Sequence, residues 1–273
     1  MPLRKLQTEI LRTLARHRSP ESYIAGGVAF GEQGQRFSDD IDIFHDDGSD
    51  LGAVVKSDVK ALRESGFTVE PLTSPGTGVH RVKVEKLNES TVIEWVADAD
   101  FRFFPIKPDE LFGYVLHPVD LAINKAAAAA GRREPRDIVD LVTIHENILP
   151  LGAVVAATVG RFPGPSPEEI LAEISRRSRL TPSEISALSA ERPIDPSDLH
   201  RRIRLMLDDA EDYLQRLPSD AVGFVFLKNG KPVQPDPTRL QDYEKHEGSR
   251  RGRWPSSSEI GTTMLERLIK NKN

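Results

Sequence analysis

The chain contains no cysteine, which excludes a disulfide framework, thiolate chemistry and a zinc–thiolate site. Long apolar runs are also missing, and nothing approaches the ~18 consecutive apolar residues of a membrane-spanning helix. The N-terminal stretch MPLRKLQTEILRTLARHR is amphipathic and broken by charge, without the apolar segment of a secretory signal. A cytoplasmic protein that engages no membrane is therefore expected. No G-x-x-x-x-G-K-[ST] loop occurs, so a P-loop kinase or ATPase is excluded, and the histidines fall into no spacing such as H-E-x-x-H. An excess of positive charge is absent as well. The net charge of −5 argues against holding nucleic acid by bulk electrostatics. A local basic groove remains open, because arginines cluster as RRSR (176–179), RRIR (201–204) and SRRGR (249–253).

What is present suits one large or two modest domains. Leu6, Ile10, Leu11 and Leu14 recur at helical spacing and predict a helix over 3–17. ESYIAGG (21–27) reads as a short strand ending in a glycine pair, 28–33 as one or two helical turns, and DDIDIFH (39–45) as a strand. GSDLGAVVKSDVKALRESGF (48–67) predicts a helix, with Ser49 or Asp50 as N-cap and Gly66 as stop. Strands FTVEPL (67–72), HRVKVEKL (80–87) and STVIEWVAD (90–98) follow, the last two joined by a turn at Asn88. Together these make an α/β unit on a mixed sheet.

From Pro108 the pattern turns helical. HPVDLAINKAAAAAG (117–131) has Pro in its first turn and Gly131 at its end, and EPRDIVDLVTIHENIL (134–149) predicts a second helix. RFPGPSP (161–167) marks a linker, with helices expected near 167–178, 182–190 and 196–216. FVFLKNGKPV (224–233) predicts a hairpin with an Asn229-Gly230 I′ turn. Beyond Pro235 a loosely held segment is expected until SSSEIGTTMLERLIKN (256–271). The expected organisation is a core over 1–112, a helical domain over 113–217 contributing Lys125 and Asp137, and a hairpin with basic tail over 218–273.

Asp40 and Asp42 carry the chemistry. As i and i+2 on one strand they share a face, about 6.6 Å apart, and at an effective dielectric near 20 they repel by roughly 2–3 kcal/mol. Ile41 and Ile43 point the other way. Paired anions on a sheet-forming strand call for a cation, and a hard divalent ion with oxygen ligands, Mg²⁺ bridging a substrate phosphate, fits best. Gly26 and Gly27 lie where the first strand turns into a short helix, so backbone N–H groups can approach an anion, and Ser38 could add a hydroxyl. A third carboxylate should come from a neighbouring strand. Glu94, an acid in a hydrophobic strand, is suited to take a proton from an attacking hydroxyl; Asp98 is its competitor, and pairing of Glu94 with Arg81 or Lys83 is the structural alternative.

Gly-Gly followed by RFSDDIDIF (36–44) resembles the first motif of DNA-polymerase-β-like nucleotidyltransferases, and more closely the AbiEii/AbiGii (MenT-like) nucleotidyltransferase toxin family. That family's next motifs, a helical Lys and a basic-Asp-x-x-Asp helix, are similar to LAINKAAAAAGRREPRDIVDL (121–141), giving Lys125, Arg136, Asp137 and Asp140. The resemblance covers roughly residues 20–145. It implies an α+β fold: a polymerase-β-like nucleotidyltransferase core, a mixed sheet with flanking helices, followed by a helical C-terminal domain. It further implies an Mg²⁺-dependent enzyme with an NTP as substrate. Asp40 and Asp42 would bind the metal, with Gly26, Gly27 and Ser38 on the phosphates. Lys125 and Arg136 would meet the nucleotide, and Asp137 would position the Lys or the nucleotide. Glu94 departs from the Asp more usual at the third acid. The implied role is the toxin of a type IV toxin–antitoxin pair, with an RNA acceptor (a tRNA 3′ end) and a cognate antitoxin protein. The rivals are the same fold acting on a small molecule or a protein hydroxyl, and a catalytically silent binding or regulatory protein.

Overall fold

A computed structural model describes residues 3–33, 35–46, 50–73 and 78–255. Helix α1 (Lys5–Leu14) buries the stripe Leu6, Ile10, Leu11 and Leu14 and tightens into a 3-10 turn at Ala15–His17. Strand β1 (Ser22–Ala25) leads through a 3-10 segment, Gly27–Gln33, to β2 (Asp40–Asp46). Asp50 caps α2 (Leu51–Glu64) by accepting the Ala53 N–H; Ser49 lies outside the described residues. Strands β3 (Thr68–Pro71), β4 (Val79–Lys86) and β5 (Glu89–Asp98) follow, then β6 (Phe101–Arg102), β7 (Lys107–Asp109) and β8 (Gly113–Val115). Leu87 and Asn88 both take positive φ, 51° and 68°, which makes the tight turn between β4 and β5.

Seven strands form one mixed sheet in the order β3-β4-β5-β2-β1-β8-β7. Strand β2 runs parallel to β5 and antiparallel to β1. One face, with Ile41, Ile43, Ile93 and Trp95, packs on α1 and α2. Against the other face, around Tyr23 and Ala25, pack the helices α3 (Pro118–Gly131), α4 (Pro135–Asn147), α5 (Leu151–Arg161), α6 (Pro167–Arg177), α7 (Pro182–Ser186) and α8 (Pro196–Arg216). Prolines at the first turn and the capping boxes of Ser166 and Thr181 set several of these starts. Among the described residues, no single helix is long and apolar enough to cross a membrane.

Three expectations change. Helix α5, LGAVVAATVGR, is not anticipated from sequence: it is apolar nearly all round and buried on most sides, so it shows no amphipathic stripe. Helix α7 stops at Ser186 rather than 190, and Ser189 and Ala190 then pair with the backbones of Phe37 and Arg36. Residues 235–255 are docked rather than loose. After the hairpin β9 (Val225–Lys228) and β10 (Lys231–Val233), β11 (Glu244–His246) returns to β9, and β12 (Ser249–Arg250) pairs with β6. His246 Nε2 lies 2.8 Å from the Phe103 carbonyl oxygen, and its ring stacks on Phe104. The segment SSSEIGTTMLERLIKN lies outside the described residues.

Candidate active site

The alternation of β2 sends Ile41 and Ile43 into the α1/α2 core and turns Asp40 and Asp42 to the opposite face, where both are partly buried. Asp42 has Ala25 beside it on β1 and Glu94 beside it on β5. One residue past Ala25, Gly26 takes φ +63°, and a Cβ there would fall 1.6 Å from Asp42 Oδ2. The carboxylate therefore rests on bare backbone, a packing open only to glycine. A Cβ on Gly27 would fall 2.7 Å from Ser38 Oγ, which itself lies 3.0 Å from the Asp40 carbonyl oxygen and 3.2 Å from Oδ1. Asp42 is held apart from the ordinary carboxylate range: burial and the charges of Asp40 and Glu94 push its pKa up to about 7, against the pull of Lys125 and Arg136. Among the described residues no hydrogen bond or ion pair engages the Asp42 carboxylate.

Facing this pair are α3 and α4, joined by a short turn. Lys125 is buried, with Nζ 2.8 Å from Asp137 Oδ1 and 3.0 Å from Asp140 Oδ2. Burial alone would lower its pKa, but Asp140 and Asp137 outweigh it and the ammonium stays charged. Asp140 also takes a two-pronged contact from Arg36, Nε to Oδ1 at 2.9 Å and Nη2 to Oδ2 at 2.6 Å. Asp137 takes one from Arg132, with Nε at 2.8 Å. Although burial opposes it, Lys125 and Arg132 keep Asp137 ionised below the usual carboxylate pKa. Arg136 closes the ring by placing Nη1 3.2 Å from Asp40 Oδ2. Hence Gly26, Gly27, Ser38, Asp40, Asp42, Lys125, Arg136, Asp137 and Asp140 come together from two regions about a hundred residues apart in sequence.

No protein-family model and no curated protein matches the chain. Among solved structures it is similar to the nucleotidyltransferase toxin MenT4 from Mycobacterium tuberculosis H37Rv, at TM-score 0.50 and 16% identity, over 79% of this chain and 83% of that one. The chain shares the α+β fold of MenT4. Two Helicobacter pylori structures, JHP933 and a protein named as a nucleotidyltransferase, align at TM-scores of 0.46 and 0.48 and identities of 17% and 16%. Each alignment covers 78% of this chain, and 91% and 94% of the respective partner.

Within this α+β fold the remaining candidates separate. Glu94 neighbours Asp42 in register and pairs with Arg81 at 3.0 Å, the structural alternative foreseen for it. Asp98 lies four residues further along β5, paired with Arg161 at 2.6 Å. Two site residues escape the sequence reading. Arg36 is the first letter of RFSDD, a lone basic residue whose buried role depends on an acid in α4; Arg132 follows Gly131 in a run that reads as solvated. The three arginine clusters do not form open basic surfaces throughout. Arg176 and Arg177 share Glu173, Arg201 and Arg202 meet Asp198 and Glu146, and Arg250, Arg251 and Arg253 meet Asp100, Glu21 and Glu247.

The donor set fits a hard divalent ion. Among the described residues of the site the cations Arg36, Lys125, Arg132 and Arg136 equal in number the carboxylates Asp40, Asp42, Asp137 and Asp140. Among the described residues no three acidic or histidine side chains converge on one point. Asp40 and Asp42 supply two carboxylates on one strand face, the oxygen-donor chemistry a hard divalent ion takes.

Proposed function

We propose that the chain is a nucleotidyltransferase that moves a nucleoside monophosphate from an NTP to an acceptor hydroxyl. The observation that carries this reading is the Asp42 carboxylate resting on Gly26, beside Asp40 and opposite Lys125 and Arg136, in a fold shared with a nucleotidyltransferase toxin. Asp40 and Asp42 would hold Mg²⁺, which when bound polarises the phosphate oxygens. The backbone of Gly26 and Gly27 and the Ser38 hydroxyl would face the phosphates, with both glycines also required because a Cβ would strike Asp42 or Ser38. Arg136 would exchange Asp40 for a phosphate oxygen, and its fork suits two-pronged contacts. Lys125, fixed by Asp137 and Asp140, would act as a preorganised positive charge behind the triphosphate rather than as a mobile arm. Glu94 would stand on the acceptor side as the candidate base.

The biological setting we propose is that of a toxin from a toxin–antitoxin pair, acting in the cytoplasm on an RNA 3′ end, with tRNA as the favoured acceptor and a cognate protein as antitoxin. The fold shared with MenT4 supports the toxin reading. The test is incubation of the purified chain with Mg²⁺, each α-labelled NTP and total RNA. Label should enter RNA and disappear in folded Asp40→Ala and Asp42→Ala variants. Label on protein would select the protein-hydroxyl rival. Label nowhere, or transfer that persists in both variants, would overturn the reading.

A further inference from the structure

The two sides of the Asp40–Asp42 pair are built differently. On the β1 side lie the glycine pair and Ser38, with the cations of α3 and α4 above them. On the β5 side the sheet continues for three more strands, and among the described residues its face around Glu94, Arg81 and Lys83 stays open to solvent, with Arg161 of α5 reaching only Asp98 at the strand end. Val92 and Glu94 of β5, and Arg81 and Lys83 of β4, point to that face and belong to neither core. Arg81 lies directly across from Glu94, which lies directly across from Asp42, so Arg81 is two strand spacings, about 10 Å, from the aspartate. Its side chain is 47% exposed, and Nε is 3.0 Å from Glu94 Oε2. Glu94 is its sole acidic partner among the described residues.

In-line displacement puts the attacking hydroxyl opposite the departing pyrophosphate. With the triphosphate over the glycine pair, as the proposed function has it, the acceptor must lie over β5 and β4. We infer that Arg81 binds a backbone phosphate of the acceptor, so that the open sheet face receives the 3′ end of a polynucleotide strand rather than a neutral hydroxyl compound. Glu94 holds the guanidinium by its Nε edge and leaves the terminal nitrogens for a phosphate, the two-pronged geometry for which arginine is suited. Lys83, on the same face beside Val92, adds a second cation; it is paired with Glu85, and Glu70 stands across from it on β3. The exposed Lys83–Glu85 pair is weak enough for a phosphate to displace.

This inference rests on the transfer reaction proposed above, and its test reads binding separately from transfer. Fluorescence anisotropy of a fluorescein-labelled single-stranded RNA of twelve nucleotides with a free 3′ hydroxyl, alongside DNA of the same sequence, is measured against the full chain over a salt series. Arg81→Glu should weaken binding of RNA, DNA or both about 10- to 100-fold. Arg81→Ala should lower the salt slope by about 1. Arg81→Lys should restore the salt slope but only part of the affinity, because an ammonium cannot make the two-pronged contact, and KM for the NTP should stay at its parental value. Equal binding by the parent and Arg81→Glu overturns the inference, as does a parent that binds neither strand at low salt. Transfer to RNA that is lost in Asp40→Ala but indifferent to Arg81→Glu sinks this inference alone. Arg81-dependent binding with no transfer sinks the proposed reaction instead.

Discussion

Replacing Gly26 by Ala isolates the contact on which the site depends. Two costs arise. The first is backbone strain, since a non-glycine residue at φ +63° loses about 1–2 kcal/mol. The second is displacement of Asp42: the new Cβ would fall 1.6 Å from Oδ2, 2.5 Å from Cγ and 2.8 Å from its Cβ. Rotating the carboxylate clears the first contact but not the last: to reach ordinary contact at 3.4 Å the Asp42 Cβ must move by about 0.6 Å and Oδ2, starting at 1.6 Å, by more than an ångström. A shift of about 1 Å at a reacting centre costs on the order of 100-fold in rate. Gly66→Ala supplies the control. Gly66 also has positive φ, +83°, but a Cβ there meets open space. Both variants should therefore lose about 1–2 kcal/mol of stability to strain, Gly26→Ala more because Asp42 must also move, while only Gly26→Ala loses labelled NMP transfer, measured at saturating NTP and Mg²⁺. Parental transfer by a folded Gly26→Ala chain would refute the placement of Asp42 in the chemistry.

Three further outcomes follow from the same contacts. Asp42 in the chelator-treated chain has a folded pKa of about 7, above its ordinary 3.8, so the native state takes up a proton between those values that the unfolded state does not. Stability should therefore rise as pH falls from 8 to 5; Asp42→Asn should flatten that slope and melt higher than the parent at pH 8, and a parental slope in the variant would disprove the assignment. Arg36→Met removes one partner of a buried pair and should cost about 3 kcal/mol by denaturant unfolding, the low end of the range because Lys125 stays on Asp140; a loss within about 0.5 kcal/mol would mark the contact as incidental. Gly252→Ala places a Cβ 2.3 Å from the Phe104 carbonyl carbon, so the segment around β12 should lift and be cut faster by protease, with cleavage unchanged if the docking is not formed in solution.

How much of this was legible in the sequence depends on the range of the contact. The strand of Asp40 and Asp42 could be read because isoleucines at alternate positions declare which face is buried. The glycine pair could be placed at a turn, but not against a particular carboxylate, since that closeness comes from the β1–β2 register. Lys125 could be assigned to a helix; its two carboxylate partners could not be fixed, because α4 must first fold back along α3. Arg36 illustrates the limit. Nothing local separates it from a solvated arginine, and its burial is bearable because Asp140, 104 residues away, meets two of its three guanidinium nitrogens and the Phe37 carbonyl oxygen the third. The resulting sequence Arg36–Asp140–Lys125–Asp137–Arg132 alternates in charge and ties the strand-turn of the first motif to both helices. Removing Asp140 leaves Arg36 buried without its carboxylate, whereas the neighbours of Lys125 each keep a second partner. The cluster that shapes the site therefore also holds the helices to the sheet, and for that reason Lys125 cannot serve as a swinging arm without loosening the fold around it.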